Sequence, residues 1–229
     1  MKFGIVVFHG STFAEECYYM INHILKCDAE YINHTEHNSL RHDCIIIPGG
    51  ASYGDQPRCG VLARSTPVIE EIVSFARKGG PVIGIGNGFQ IMTECLLLPG
   101  TLARNKNDLF ICREAYLKVE NRTSMFTSAF KSTVVKFNVA HGFGRYMADT
   151  ESIEQLESEG RVAFRYSDNH GRIIEESNPE GSTNNIAGIL NREGNVIGMM
   201  PFPERSADSI FGSADGLNIF YSILAQVAT

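Results

Sequence analysis

The chain has no C-x-x-C pair among its six cysteines, no excess of basic residues and no apolar run long enough to span a membrane. Cys17, Cys27, Cys44, Cys59, Cys95 and Cys112 stand singly, which argues against both a zinc knuckle and a redox dithiol. Free thiols in a reducing compartment are the expectation, with the cytoplasm as the address. Twenty Lys and Arg against 26 Asp and Glu leave a net charge of −6. Such a chain offers no cationic stripe to a phosphate backbone, so nucleic acid is not an expected partner. A membrane is not one either, because a span needs about 20 consecutive apolar residues. Internal repeats, low-complexity tracts and linkers are also missing, and the 229 residues read as a single domain, 1–229. The opening Met-Lys-Phe-Gly-Ile-Val-Val-Phe is too short for a signal peptide, lacks a small-residue cleavage site and reads as a first strand.

With 43% hydrophobic and 20% charged residues, the composition is that of an ordinary globular core former. The first half alternates short β-branched runs with amphipathic stretches, the rhythm of a parallel α/β sheet. Strands are expected over residues 3–8, 30–33, 44–47 and 81–85, and helices over 12–26, 66–77 and 87–95. Phe13, Cys17, Met20, Ile21 and Ile24 give the first helix its apolar face, and Pro67 sits where a helix start tolerates it. The second half is richer in strands, expected over 110–119, 134–139, 161–165, 185–190 and 196–200. Residues 169–184 are polar and turn-rich and read as a surface loop. A closing helix is expected over 207–228.

The segment Pro81-Val-Ile-Gly-Ile-Gly-Asn-Gly-Phe-Gln90 carries the most chemical information. A buried strand ending in G-x-Z-x-G and passing straight into a helix is the pattern of a nucleophile elbow, in which Z is normally Ser or Cys. Gly84 and Gly88 would let strand and helix approach, and the Asn87 amide at the helix N-terminus would face a developing oxyanion. Position Z, however, is Gly86, which has nothing to attack with. The alternative is the glycine turn of a nucleotide-binding fold, although the third glycine of G-x-G-x-x-G falls on Gln90. On this segment alone both readings stand.

Further segments decide between them: Ile47-Pro-Gly-Gly-Ala-Ser-Tyr-Gly-Asp55, Arg58-Cys-Gly60, Asn87-Gly-Phe-Gln90, Leu98-Pro-Gly100, Phe110-Ile-Cys-Arg113, Ala140-His-Gly-Phe-Gly144, Pro203-Glu-Arg205 and Gly212-Ser-Ala-Asp-Gly216. In this order, and over nearly the whole chain, they resemble the glutaminase subunit of formylglycinamidine ribonucleotide synthase, a class I glutamine amidotransferase of purine biosynthesis. The resemblance implies a flavodoxin-like α/β fold, with a mostly parallel central sheet, flanking helices and a smaller β-rich second half. It also implies a Cys–His–Glu glutaminase that feeds ammonia to a large ATP-dependent synthetase.

Against that pattern, Gly86 stands where the nucleophile Cys belongs and Phe202 where the His base belongs; of the triad, only Glu204 remains. The His9-Gly10-Ser11-Thr12 turn also departs from the family's Pro-Gly-Ser-Asn. Thioester formation needs a thiolate and a base in contact with it, and neither residue supplies one. Glu204 is then expected to be solvated or paired with a neighbour such as Arg205. Gly50, Ala51, Asn87 and Gln90 are expected to form a relict oxyanion and glutamine pocket. Tyr53, Asp55, Arg58 and His141 are expected on the face that meets the large synthetase. ATP and magnesium are expected only in that partner, and no cofactor in this chain. Cys59 and Cys95 read as structural thiols. His34, His37, His42 and Cys44 fit no standard metal spacing, so no metal site is expected. Three functions follow from the sequence: a catalytically disabled docking subunit, an ordinary glutaminase inactivated by substitution, or a stand-alone small-molecule binding module.

Overall fold

A computed structural model describes residues 1–36, 40–54 and 60–227. Its frame is one nine-stranded sheet whose two halves differ in direction. In the first half, β1 (Lys2–Val7) pairs in parallel with β2 (Asp28–Asn33) and β3 (Cys44–Ile47), and β3 pairs in parallel with β4 (Val82–Ile85). The second half comprises β6 (Ile111–Val119), β7 (Val134–His141), β9 (Val162–Ser167), β10 (Ile186–Leu190) and β11 (Val196–Met199). The order across the sheet is β2-β1-β3-β4-β11-β10-β9-β6-β7. β11 joins β4 in parallel, and from β11 outward every pairing is antiparallel. A small ribbon of β5 (Thr101–Ala103) and β8 (Arg145–Met147) lies apart.

Strand parity sorts the core into two layers. Phe3, Ile5, Cys44, Ile46, Ile83 and Ile85 point to one face and Val6, Ile45, Ile47 and Val82 to the other, as a period of two requires. The first face is covered by α1 (Ala14–Tyr19), which runs on as a π turn over Met20–Ile24, and by α6 (Leu217–Val227). The opposite face is covered by α3 (Pro67–Arg77) and α4 (Asn87–Glu94). Cys17, Met20 and Ile21 are fully buried, as the spacing of the first helix requires, and Pro67 opens α3 at its first turn. No helix among the described residues is long and apolar enough to cross a membrane.

Three expectations need correction. The closing helix begins only at Leu217, because the Asp208 side chain accepts from the Ile210 amide and starts a short 3-10 turn that Gly212 ends at φ +100°. The 169–184 loop is not wholly a surface feature, since Glu180 and Ser182 are buried. The short helices α2 (Gly60–Arg64) and α5 (Thr150–Ser158) lie outside the expected elements, although Asp149 caps α5 by accepting from the Ser152 amide at 2.8 Å.

The approach of α4 to the sheet rests on Gly88. A Cβ there would lie 2.0 Å from the Ile47 carbonyl oxygen, a distance only backbone displacement can relieve. Gly88→Ala is therefore expected to destabilise the fold by about 1–3 kcal/mol or more, read as a lower midpoint in urea unfolding.

Candidate functional site

The chain leaves β4 at Gly86 with φ 53° and ψ −108° and enters α4 at the next residue. That backbone region is unfavourable for residues with a side chain, and glycine adopts it freely. The Gly86 amide donates to the Met199 carbonyl at 2.7 Å, and the Gly86 carbonyl accepts from the amides of Phe89 and Gln90 at 3.1 and 3.3 Å. The turn thus has the sharp strand-to-helix geometry of an elbow, with no atom at its apex to react.

Phe202 occupies the space above that apex. Its amide donates to the Asn138 carbonyl of β7 at 2.9 Å, and the side chain is buried. A Cβ built on Gly86 would lie 2.9 Å from Phe202 Cε1, and one built on Gly49 would lie 2.5 Å from the same atom. Phe13 meets the ring edge-on with centroids 4.9 Å apart. What remains beside the ring is a cavity of about 160 Å³, and Gly50, Ala51, Asn87, Gln90 and His141 all line it with Phe202. The four residues expected around a relict pocket are therefore brought together. Within it, the Ala51 amide donates to the Gly10 carbonyl at 3.1 Å, which commits that donor to the protein itself. Asn87 Nδ2 donates to Gln90 Oε1 at 2.8 Å, and Gln90 Nε2 donates to the Phe143 carbonyl at 2.6 Å. These two bonds tie the elbow helix to the 140–144 turn.

Glu204 is neither solvated nor paired with Arg205. It is 7% exposed, and neither carboxyl oxygen has a hydrogen-bond partner among the described residues. Arg205 instead donates to Glu16 at 3.0 Å and stacks over Phe13 with its guanidinium carbon 3.9 Å from the ring centre. Burial pushes the Glu204 carboxyl up to about 8; its own backbone amide and the charge of Arg205 oppose this only in part, and Glu16 reinforces it. The group is neutral over most of the physiological range. Burial, with the charges of Glu204 and Glu16, also pushes the neighbouring Cys17 thiol well above its usual range.

His141, expected on a docking face, lies inside the protein, 6% exposed. Its Nδ1 is 3.3 Å from Asn105 Oδ1, and its Nε2 is 3.9 Å from Glu180 Oε2. Burial pushes His141 down to about 4 and Glu180 up to about 8, the latter against the pull of the Tyr166 and Ser182 hydroxyls. Both groups are therefore neutral near pH 7, and their contact is polar rather than an ion pair. Sequence patterns give no hint of Asn105 or Glu180, which sit in polar stretches of the kind that usually mark surface.

Tyr53 is half-buried at φ +59°, its amide donating to the His9 carbonyl at 2.6 Å and its hydroxyl 3.2 Å from His34 Nδ1. Asp55, Arg58, Cys59 and His37 lie outside the described residues. His42 contacts Glu30 at 3.2 Å and Cys44 is in the core, so these two and His34 have separate partners. Among the described residues, no three His, Cys, Asp or Glu side chains gather as a metal ion would need. Burial pushes the Cys95 thiol up to about 12.

This geometry has consequences for stability. Gly86→Ala and Phe202→Ala should each destabilise the protein, the first through ring contact and backbone strain, the second by opening a void. Because the two changes share one space, the double variant should be less destabilised than the sum, with a coupling of about 0.5–3 kcal/mol in urea unfolding. A pH dependence is expected of Glu204, whose folded value of about 8 exceeds its ordinary 4.5. The stability tied to this neutral carboxyl is fully present below pH 4.5 and is lost as pH rises toward 8, since only the unfolded chain ionises in that window. Each tenfold difference in proton affinity between the folded and unfolded chain corresponds to about 1.4 kcal/mol. Relative to the parent, Glu204→Gln should therefore gain thermal stability steadily between pH 4.5 and 8, and a constant Tm difference would contradict the assignment.

Residues 5–216 match the family model of the CobB/CobQ-like glutamine amidotransferase domain. The phosphoribosylformylglycinamidine synthase subunit PurQ of Aquifex aeolicus is 47% identical over 227 residues, covering 99% of this chain and all of that protein. The PurQ subunit of Moorella thermoacetica is 45% identical, covering 98% of this chain and 95% of its own. A chain in the structure of PurLQS from Thermotoga maritima superposes with a TM-score of 0.85 at 36% identity, over 99% of this chain and 98% of that one. The chain belongs to the CobB/CobQ-like glutamine amidotransferases, within the family of PurQ subunits of phosphoribosylformylglycinamidine synthase.

Proposed function

We propose that this chain is a glutaminase-like subunit that does not hydrolyse glutamine. In this reading it docks on a large ATP-dependent amidoligase of the formylglycinamidine ribonucleotide synthase kind, which draws on ammonia or another amine. The observation that carries the reading is the Phe202 ring packed against Gly86. Together they remove the nucleophile, remove the base and fill the space in which both would work. The amide hydrolysis of a class I site requires a thiolate to attack the glutamine carboxamide carbon and an imidazole to take up and return the proton. At this elbow there is no sulfur, Cys17 and Cys95 are held as thiols, and Glu204 has no imidazole to orient. The elbow amides that remain can polarise a carbonyl, which alone leaves only a small advantage over water.

The docking half of the proposal draws on the relatives. Proteins 45–47% identical to this chain carry the name of a synthase subunit, and the similar solved chain belongs to a structure called PurLQS. ATP and magnesium would be held by the large partner. Tyr53 follows β3 at the carboxyl edge of the parallel strands, where open α/β sheets engage ligands and partners. A stand-alone module that reuses the elbow pocket for a small molecule is disfavoured by the size of that cavity. Its 160 Å³ falls below the roughly 300–1,000 Å³ of ordinary small-molecule pockets.

The test uses the purified chain with glutamine, alone and with the co-expressed large synthetase. No ammonia release is expected in either case, nor any covalent adduct with a glutamine-mimicking electrophile, while the two chains co-migrate on size exclusion. Gly86→Cys and Phe202→His should each stay at background, and the double variant should recover at most a trace. Glutamine turnover or a stoichiometric adduct would overturn the loss of catalysis; failure to co-migrate would overturn the docking role.

A further inference from the structure

Three segments meet at a buried polar cluster beside the elbow cavity: residues 104–110, the 141–144 turn and residues 178–185. The Asn105 amide donates to the Gly142 carbonyl at 3.0 Å, the Gly144 amide to Asn105 Oδ1 at 3.1 Å and the Lys106 amide to the Glu180 carbonyl at 2.9 Å. Asn105 Nδ2 donates to the carbonyls of Leu109 and His141 at 2.8 and 2.9 Å, which fixes the side-chain amide with Oδ1 toward the imidazole. Because that oxygen only accepts, His141 Nδ1, 3.3 Å away, carries the ring proton, and Nε2 is left as a bare acceptor. Nε2 has no hydrogen-bond partner among the described residues, and neither has Glu180 Oε2, 3.9 Å from it. Glu180 Oε1 is engaged by the Ser182 hydroxyl at 3.1 Å. A buried lone pair and a buried carboxyl oxygen, both otherwise orphaned, thus lie side by side.

A neutral imidazole has a single N–H. Asn105 Oδ1 claims it on one side and Glu180 Oε2 on the other, and both claims are met only when the carboxyl supplies a proton of its own to Nε2. We propose that Glu180 and His141 form a proton latch, in which one proton between Oε2 and Nε2 holds the 178–182 turn against the 141–144 turn and its loss releases the wall of the elbow cavity. Gly142 and Phe143 belong to that wall, and Gln90 of α4 donates to the Phe143 carbonyl at 2.6 Å, so release reaches the elbow helix. Without the proton, either a carboxylate confronts a lone pair or the imidazole changes tautomer and abandons Asn105. The other groups acting on the carboxyl are the Tyr166 hydroxyl on β9, the Ser182 hydroxyl, the Glu180 backbone amide and the Arg113 guanidinium on β6. All of them favour its charged form, yet burial outweighs them and pushes Glu180 up to about 8. Lys106, on the adjoining loop, is paired with Glu175 at 2.9 Å. Opening lets the carboxyl ionise at its ordinary 4.5, so the latch is strongest below that pH and weakens as the pH rises toward 8. The proposal stands apart from the loss of glutaminase chemistry, since it uses no triad residue.

Hydrogen exchange of the intact chain, followed by NMR from pH 5 to 9 and corrected for intrinsic rates, tests the latch. The amides of Asn105, Lys106 and Gly144 should open more readily by up to about tenfold per pH unit below 8 and level off above it. Glu180→Gln, whose amide can donate to Nε2 at every pH, should remove this dependence. Glu204→Gln should leave it in place, which separates local release from global unfolding. The imidazole nitrogen resonances of the parent give a readout that needs no variant. They should report the Nδ1–H tautomer at pH 6.5 and shift together as the pH rises through about 8. An Nε2–H tautomer at pH 6.5, resonances that stay fixed up to pH 9, or exchange in Glu180→Gln with the parent's pH dependence would overturn the latch.

Discussion

The Phe202 ring packed between Gly86 and Gly49 is the contact on which the rest of the site depends. A phenyl group has no donor or acceptor at its edge, so its value here is volume and dispersion against close neighbours. With the ring in place, residue 86 cannot carry a side chain without displacing it, and the cavity beside it has a volume of about 160 Å³. Two residues on, Glu204 has no hydrogen-bond partner for either carboxyl oxygen among the described residues. An orphaned carboxyl in a packed interior takes the neutral form, because burial penalises its charge more than the oblique pull of Arg205 relieves it. One aromatic side chain thus fills the space above the Gly86 turn and bounds the cavity beside it.

That these parts meet at all follows from the sheet. β4 and β11 are parallel neighbours with Ile85 opposite Met199, so the chain leaves both strands at the same edge, side by side. Gly86 and Met200 are the next residues in each, and Phe202 lies two further along. Beyond β11 the sheet turns antiparallel, which brings its far edge strand, β7, alongside the 202–206 segment through the Asn138–Phe202 bridge. The cavity beside Phe202 sits where the parallel half ends and the antiparallel half folds back over it. His141 closes β7 and comes with that half, which explains why it faces the cavity rather than solvent.

Much of this is legible in the sequence because it is local. The strand at 44–47 is placed to the residue and the other expected strands to within a few, because a run such as Cys-Ile-Ile-Ile before Pro-Gly-Gly allows little else, whereas the short strands β5 and β8 lie outside the expected elements. The elbow is readable because glycine at three alternate positions has few structural uses. What fails to show depends on contacts far apart in the chain. Nothing within a window around Glu180 says that it is buried against His141, 39 residues earlier in sequence, or that Asn105 links to the 141–144 turn. Arg205 is the obvious mate for Glu204 by adjacency, yet side chains at neighbouring positions diverge, and Arg205 reaches Glu16 and Phe13 on α1 instead. The end of the chain misleads for a different reason: residues 207–216 hold enough apolar content to suggest a helix, but two glycines and the Asp208 cap select turns.

The segment 202–205 divides its side chains between two environments. Phe202 lines the cavity at the elbow, and Glu204 is among the residues of the adjoining groove beneath α1. Were Glu204 only the remainder of a catalytic set, an apolar residue of similar size would serve the fold better, since a buried carboxyl without a partner is destabilising whether it is protonated or charged. The groove it borders is lined by α1, β6, β7 and the 204–208 turn, and it contains neither Gly86 nor any part of the elbow. The two cavities adjoin through Thr12 and Ala140, which line both, while the elbow residues Gly86, Asn87 and Gln90 line only the smaller one.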